Sequence, residues 1–198
     1  TQAIVSIFGV VWMDVHHFTV CYNRLYFVEM RKAMSITIRA MQPKDWDEVA
    51  KIYQAGMNSN LATFETECPP YTTWDAAHLK RCRLVAEHED TVLGWATLSQ
   101  VSKRAVYAGV AEVSIYMAEG ARGQGIGTAL LQALVALAER EGFWMLQSGI
   151  FADNEASIRL HARCGFRMVG TRERIGRDRH GIWRDTVLME HRSNVVGN

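Results

Sequence analysis

The sequence predicts a mixed α/β domain, and three observations carry that prediction. Short β-branched stretches of strand length are interspersed with runs whose apolar residues recur at helical spacing. A glycine-rich segment, Arg122-Gly123-Gln124-Gly125-Ile126-Gly127, joins a predicted strand to a long predicted helix. The chain of 198 residues is 48% hydrophobic and 22% charged, which is enough apolar material for one sizeable core.

The elements follow in order. Ala3–Val20 is apolar but broken by Asp14, His16 and His17, so it suits neither a spanning helix nor a signal peptide. The character of the chain changes at Met34. Residues 1–33 are therefore expected to be an extension, 34–192 the domain and 193–198 a tail. Ile36–Ala40 is β-branched and reads as the first strand. Pro43-Lys44-Asp45 opens a helix in which Trp46, Val49, Ile52, Tyr53 and Met57 share a face. Asn58–Tyr71 is irregular, and Thr73 is placed as the N-cap of a second helix through Cys82. Leu84–Glu87 and Thr91–Gln100 form a hairpin turning at His88-Glu89-Asp90. A strand at Ala111–Met117 is followed by a helix at Gly127–Glu141 with Leu130, Leu131, Leu134 and Leu137 on its apolar side. Trp144–Ile150 is a strand, Asn154–Cys164 a helix, and Arg167–Thr171 and Trp183–Met189 are closing strands.

A net charge of +1 supplies no global field toward nucleic acid or a membrane surface, so a bound anion must be held locally. Cys21, Cys68, Cys82 and Cys164 lack paired spacing and read as free thiols of a reducing, cytoplasmic compartment. No metal site is expected. The His16–His17 pair has no further ligands nearby in sequence and reads as surface or packing.

The glycine segment carries the chemistry. Glycines at alternate positions let the backbone curl with its N–H groups inward, and the following helix adds the positive end of its dipole. Together they make a pyrophosphate cradle. No Gly-Lys-Ser/Thr closes it, which excludes a P-loop. The spacing G-x-G-x-G also departs from the dinucleotide fingerprint. Coenzyme A is the ligand left by these two failures.

The segment R-G-Q-G-I-G also matches the (R/Q)-x-x-G-x-(G/A) pattern of the GNAT superfamily of N-acetyltransferases. AEVSIYM, ARGQGIG, IFADNEASIRLHARCGF and GIWRDTVLM, in that order, resemble its phosphinothricin and methionine sulfoximine acetyltransferase branch. The resemblance runs from about Ile36 to Glu190. It implies a single-domain α/β fold of GNAT type, with a mixed, mostly antiparallel sheet, a splayed central strand pair and flanking helices. It also implies transfer of acetyl from acetyl-CoA to the amino group of a small amino-acid-like acceptor, by direct attack in a ternary complex within a homodimer.

Site residues come from the same resemblance. Ile115, Tyr116 and Met117 would lie along the pantetheine, and Arg122, Gly123, Gln124, Gly125, Ile126, Gly127 and Thr128 around the pyrophosphate. Asn154 and Ser157 would contact the cofactor, although Asn154 also reads as a plain N-cap. Glu112 stands at the position of the branch's proposed general base; the other reading is a solvated or arginine-paired carboxylate. His161 matches the histidine of the block R-L-H. It shares a helical face with Asn154, Ser157 and Ile158, and reads either as a catalytic group or as packing. Phe64, Ser102, Lys103, Arg104, Tyr107, Glu112, Val113 and Ser114 are the expected acceptor contacts. Among them Arg104 suits an anionic group, since a guanidinium can donate two hydrogen bonds to it. Two other readings stay open: a coenzyme A-binding sensor without turnover, and a GNAT enzyme for a different small amine.

Overall fold

Neighbouring residues of a strand point to opposite faces of the sheet. In this chain Leu84, Val85 and Ala86 are nevertheless all buried, as are Trp95, Ala96 and Leu98. Such strands require a sheet covered on both sides, and that is what is found. The structure is a computed structural model that describes residues 35–197. The segment 1–33, with the His16–His17 pair and Cys21, lies outside the described residues.

The elements are β1 (Thr37–Ala40), α1 (Trp46–Asn58), α2 (Tyr71–Ala77), β2 (Arg83–His88), β3 (Thr91–Gln100), β4 (Val110–Met117), α3 (Ile126–Arg140), β5 (Met145–Phe151), α4 (Glu155–Arg163), β6 (Arg167–Arg177) and β7 (Trp183–Arg192). The strands form one sheet in the order β1-β2-β3-β4-β5-β7-β6. Its neighbours are antiparallel except β4 and β5, which run parallel. This is the mixed, mostly antiparallel sheet that the family resemblance implies.

Each face of the sheet has its own core. On one, Leu130, Leu131 and Leu134 of α3 pack on Leu98, Val113, Leu146 and Ile150. On the other, Val49 and Ile52 of α1 meet Trp74, Val85 and Trp95. Burying side chains of this size stabilises the fold by about 1.5–3 kcal/mol each. That exceeds any helix-propensity difference, so packing decides where the helices lie. Local chemistry sets their ends. Asp45 accepts the Gln42 N–H (2.7 Å) ahead of α1 and is gripped by Arg39 through two hydrogen bonds. The β2–β3 turn places Glu89 and Asp90 at φ 45° and 63°, the left-handed pair of a two-residue hairpin turn.

Two predicted elements are corrected. The second helix begins at Tyr71 and ends at Ala77, where Thr73–Cys82 was expected. Pro70 is its N-cap and needs no side-chain cap from Thr73. His78 then turns extended, and the Leu79 N–H donates to the Leu98 carbonyl (2.8 Å), so the chain has already joined the sheet. Strand β6 runs on to Arg177, well past the expected Thr171. Its residues are almost all exposed and show no alternation. Main-chain pairing with β7, through two register shifts, sustains the strand where side-chain pattern does not. Of the residues just beyond Arg192, two are tied to the domain. Ser193 is buried with its hydroxyl donating to Glu139 (2.7 Å), and Arg192 reaches the Gly197 carbonyl.

Candidate active site

Strand β4 pairs with β3 along its length, from Gly94 opposite Met117 to Gln100 opposite Ala111. With β5 it pairs only from Val110 to Glu112, the last pair being Glu112 with Gln147. Beyond that pair β5 continues alongside β7, and the two central strands part. The β5-side edge of β4 from Val113 to Met117 is left without a strand partner, and a cleft of about 490 Å³ opens there. Main-chain groups lining it must find their hydrogen bonds elsewhere, in water or in a ligand.

The glycine segment closes the wide end of this cleft. Gly123 and Gly125 sit at φ 74° and 81°, a left-handed conformation that side chains rarely adopt. Gly125 is the N-cap residue of α3, so the free N–H groups of the helix start at the cleft. A Cβ on either glycine would meet no atom within 4 Å, so the space over the loop is open to a ligand. Gly127 packs more closely, with Leu160 and Met117 about 3.6 Å from where its Cβ would be.

Of the residues expected around a cofactor, ten line the cleft: Ile115, Tyr116, Met117, Arg122, Gly123, Gly125, Gly127, Thr128, Asn154 and Ser157. Two do not. Gln124 folds back to donate to the Gly120 carbonyl (2.7 Å), and Ile126 is buried in the core. Asn154 has the geometry of its N-cap reading, and its amide nitrogen is engaged as well. Its Oδ1 accepts the Ser157 N–H (3.1 Å) as an N-cap, while its Nδ2 donates to the Leu61 carbonyl (2.8 Å) across the cleft.

Glu112 lies where the strands part, half-buried, with Oε2 accepting a hydrogen bond from Gln147 Nε2 (3.1 Å). Oε1 has no partner among the described residues. Ser114 and Tyr116 share its face of β4, while Val113 points into the α3 core. The Tyr116 ring lies beneath Gly56 and against Tyr53, 4.8 Å between centroids. Burial, the largest cause for each, raises both phenols, Tyr53 to about 12. Phe64 stacks edge-on against Phe151 (4.7 Å) and covers Gly176.

Of the two readings open to it, His161 has the geometry of packing. It is 1% exposed and does not line the cleft. Nδ1 donates to the Ser157 carbonyl (2.9 Å), Nε2 is buried without a partner, and the ring meets the edge of Phe166. Burial holds its pKa below the usual range, so the ring is neutral. Besides Asn154 and Ser157, the helix turns Ala156, Arg159, Leu160 and Arg163 to the cleft, so the cleft-facing side takes in part of the predicted face but not His161. Ser102, Lys103, Arg104 and Tyr107 lie in the exposed loop before β4, at the end opposite the glycine segment. Within that loop Arg104 stands over the Tyr107 ring at 5.6 Å, and its N–H donates to Ser102 Oγ. Cys164 is buried against the Thr128 carbonyl, and burial raises its thiol, which removes it as a nucleophile.

A cleft between parting strands, ended by left-handed glycines at a helix start, meets its family in the comparisons. The description of the acetyltransferase (GNAT) family matches residues 46–166. The chain belongs to the GNAT acetyltransferase family. It is 34% identical to a phosphinothricin N-acetyltransferase of Alcaligenes faecalis, over 80% of this chain and 83% of that one. It is 28% identical to an L-methionine sulfoximine/L-methionine sulfone acetyltransferase of Pseudomonas aeruginosa, over 79% and 94%. Among solved GNAT structures, the phosphinothricin acetyltransferase of Sinorhizobium meliloti in complex with AcCoA superposes with a TM-score of 0.72 at 30% identity, covering 80% of this chain and 89% of that one.

Sequence reasoning missed Asp178 and its partners. The Asp178 carboxylate is fully buried and accepts from Asn60 Nδ2 (2.9 Å), the His180 and Ile182 N–H groups and Arg184. Hydrogen bonds, that from Asn60 first, lower its pKa to about 2. The only local signal is a D-x-x-G turn, which says nothing of a partner 118 residues away.

Proposed function

We propose that this chain transfers acetyl from acetyl-CoA to the amino group of a small amino-acid-like acceptor, of the phosphinothricin or methionine sulfoximine/sulfone type. The observation that carries the reading is the parting of β4 from β5 directly after Glu112, with the glycine loop at the open end. The free edge of β4 at Ile115, Tyr116 and Met117 offers main-chain hydrogen bonds to the amides of pantetheine. Gly123–Thr128 with Arg122 take the pyrophosphate, helped by the α3 dipole. Asn154 and Ser157 bound the far wall.

The amine nitrogen attacks the thioester carbonyl carbon. A C–N bond forms, the C–S bond breaks and coenzyme A leaves as its thiolate, which takes a proton from water. Glu112 receives the proton that the amine must lose, directly or through one water. Its unpartnered Oε1, with Oε2 held by Gln147, supports that role. Attack is direct in this reading, because no cysteine is among the described residues that line the cleft. We assign no proton transfer to His161, whose ring nitrogens face a carbonyl and the core. Phe64 and Ser114 border the acceptor, Val113 contributes main chain only, and the Ser102–Tyr107 loop supplies Arg104 for an anionic acceptor group.

The enzyme is proposed to work in the cytoplasm as a homodimer. Three free described cysteines agree with the first, and the exposed Met168, Ile175, Ile182 and Trp183 on the β6–β7 hairpin with the second. No described helix is long and apolar enough to cross a membrane. The test is an acceptor screen with thiol detection. Phosphinothricin, methionine sulfoximine or methionine sulfone should release thiol well above ordinary amino acids; release with none of the three contradicts the acceptor class.

A further inference from the structure

The loop that follows α1 is tied to the rest of the domain by a ring of hydrogen bonds that begins and ends on adjacent residues. Asn60 Nδ2 donates to Asp178 Oδ2 (2.9 Å) in the turn between β6 and β7. Arg184 of β7 donates to the same oxygen (3.2 Å) and, through its other terminal nitrogen, to both carboxylate oxygens of Asp153 (2.6 Å). The next residue, Asn154, donates back to the Leu61 carbonyl (2.8 Å). The Asp178 side chain is fully buried, and a charge so placed is costly unless donors surround it. Two of its four donors, the His180 and Ile182 N–H groups, belong to its own turn and would suffice for a turn alone. The other two carry the tie outward. Asn60 lies 118 residues away, and Arg184 leads to Asp153 ahead of α4.

What this ring holds is one wall of the cleft. Leu61 and Ala62, which follow Asn60, line it, and Phe64 comes two residues later. The Phe64 ring packs edge-on against Phe151 (4.7 Å), and the Arg184 guanidinium lies over the same Phe151 ring at 4.7 Å. Phe151 shares a face of β5 with Gly149, where a Cβ would stand 4.0 Å from Glu112 Oε1. The loop therefore meets the sheet one strand step from the carboxylate proposed to take the amine proton. We infer that Asp178 is a positioning residue for the acceptor, acting through Asn60 to fix the Leu61–Phe64 wall against the sheet. The inference rests on the proposed acetyl transfer in this cleft and goes beyond it by giving acceptor binding a determinant that acts at one remove. Glu112 is held by β4 and Gln147, and the glycine loop by the start of α3; neither depends on this ring. Loosening the ring lets the wall drift while base and cradle stay in place. Binding shared by the ground state and the transition state is then lost, which raises KM and spares kcat. A purely structural carboxylate would instead reduce the folded fraction, lowering kcat at an unchanged KM.

The experiment is steady-state kinetics with acetyl-CoA and either phosphinothricin or methionine sulfone, read by thiol release, with acetyl-CoA affinity measured by calorimetry. The proteins are the full chain as wild type, Asn60→Gly, Asn60→Asp and the paired exchange Asn60→Asp/Asp178→Asn, each checked for folding by circular dichroism. Glycine accepts the φ of 55° found at this position, so Asn60→Gly removes the amide without adding backbone strain. Asn60→Asp sets one carboxylate against another. The paired exchange keeps the net charge and restores the bond with donor and acceptor reversed. Both single variants should raise the acceptor KM about tenfold to a hundredfold, the scale of a remote misplacement of about 1 Å, with kcat and acetyl-CoA affinity near wild type. The paired exchange should bring KM most of the way back. An unchanged acceptor KM in folded Asn60→Gly, a fall in kcat alone, or an equal loss of acetyl-CoA affinity overturns this inference and leaves the acetyl-transfer reading standing. So does a folded paired exchange no better than Asn60→Asp. A wild type that releases thiol with neither acceptor overturns that reading, and this inference with it.

Discussion

Glu112 is where residue chemistry and strand geometry meet. It occupies the last rung shared by β4 and β5, so its side chain lies at the fork while its backbone still belongs to the sheet. Glu112→Gln keeps the shape and the contact with Gln147 but removes the base. The expected result is a fall in kcat of about 10²–10⁴, with acetyl-CoA affinity nearly unchanged because the cradle is at the other end of the cleft. Steady-state kinetics with a direct binding measurement check this; a near-normal kcat in the folded variant makes Glu112 structural. At the cradle, Gly125→Val places a β-branched residue at φ 81°, costing about 1–2 kcal/mol for the left-handed conformation. The side chain has room in the free protein, so the variant should fold with a lower Tm and bind acetyl-CoA much more weakly. Unchanged affinity would remove the phosphate from this loop. These residues were legible because their signals are local: a glycine needed at positive φ, and a carboxylate within an apolar strand. For His161 the catalytic and packing readings both stayed open, because helical arithmetic says which residues share a face but not which way the face turns. On α4 the core takes Ile158, and Phe166 packs on His161, which rotates the cleft-facing side onto Arg159 and Arg163.

At the scale of elements, the loop between α1 and α2 has almost no backbone pattern of its own and is held by long-range bonds. Asn154 grips Leu61, Phe64 covers Phe151 and Gly176, and Asn60 donates to Asp178 in the β6–β7 turn. Asp178 has a pKa lowered to about 2, so it contributes stability that is fully present above the unfolded value of about 4. That contribution is lost as pH falls through about 2. Asp178→Asn should therefore lower Tm at neutral pH, and the gap from wild type should close between about pH 4 and pH 2. Thermal melts across that range test it, and a gap independent of pH would mean that charge plays no part. The same reasoning explains the elements that sequence reading bounded poorly. α2 stops because Leu79 finds a partner on β3, and β6 continues because β7 supplies one; neither partner is near in sequence. The hairpin turn and the ends of α1, by contrast, were close to their predicted places, since their determinants lie within a few residues.

For the whole molecule, the sheet order leaves a single parallel pair at its centre, and it is that pair which opens. Among the described residues, both faces are filled by side chains from Ile36 onward. We expect a chain beginning at Met34 to fold and to keep its acetyl-CoA affinity; calorimetry on the shortened protein checks this, and a folded protein that no longer binds moves the boundary. The most direct test of the central claim is thiol release on mixing the protein with acetyl-CoA, with and without phosphinothricin or methionine sulfone, followed by mass spectrometry of acceptor and protein. Direct acetyl transfer in the β4–β5 cleft predicts thiol release only when acceptor is present, an acceptor heavier by one acetyl group, and a protein of unchanged mass. Tight acetyl-CoA binding with no thiol release, or an acetyl group left on the protein, would contradict it.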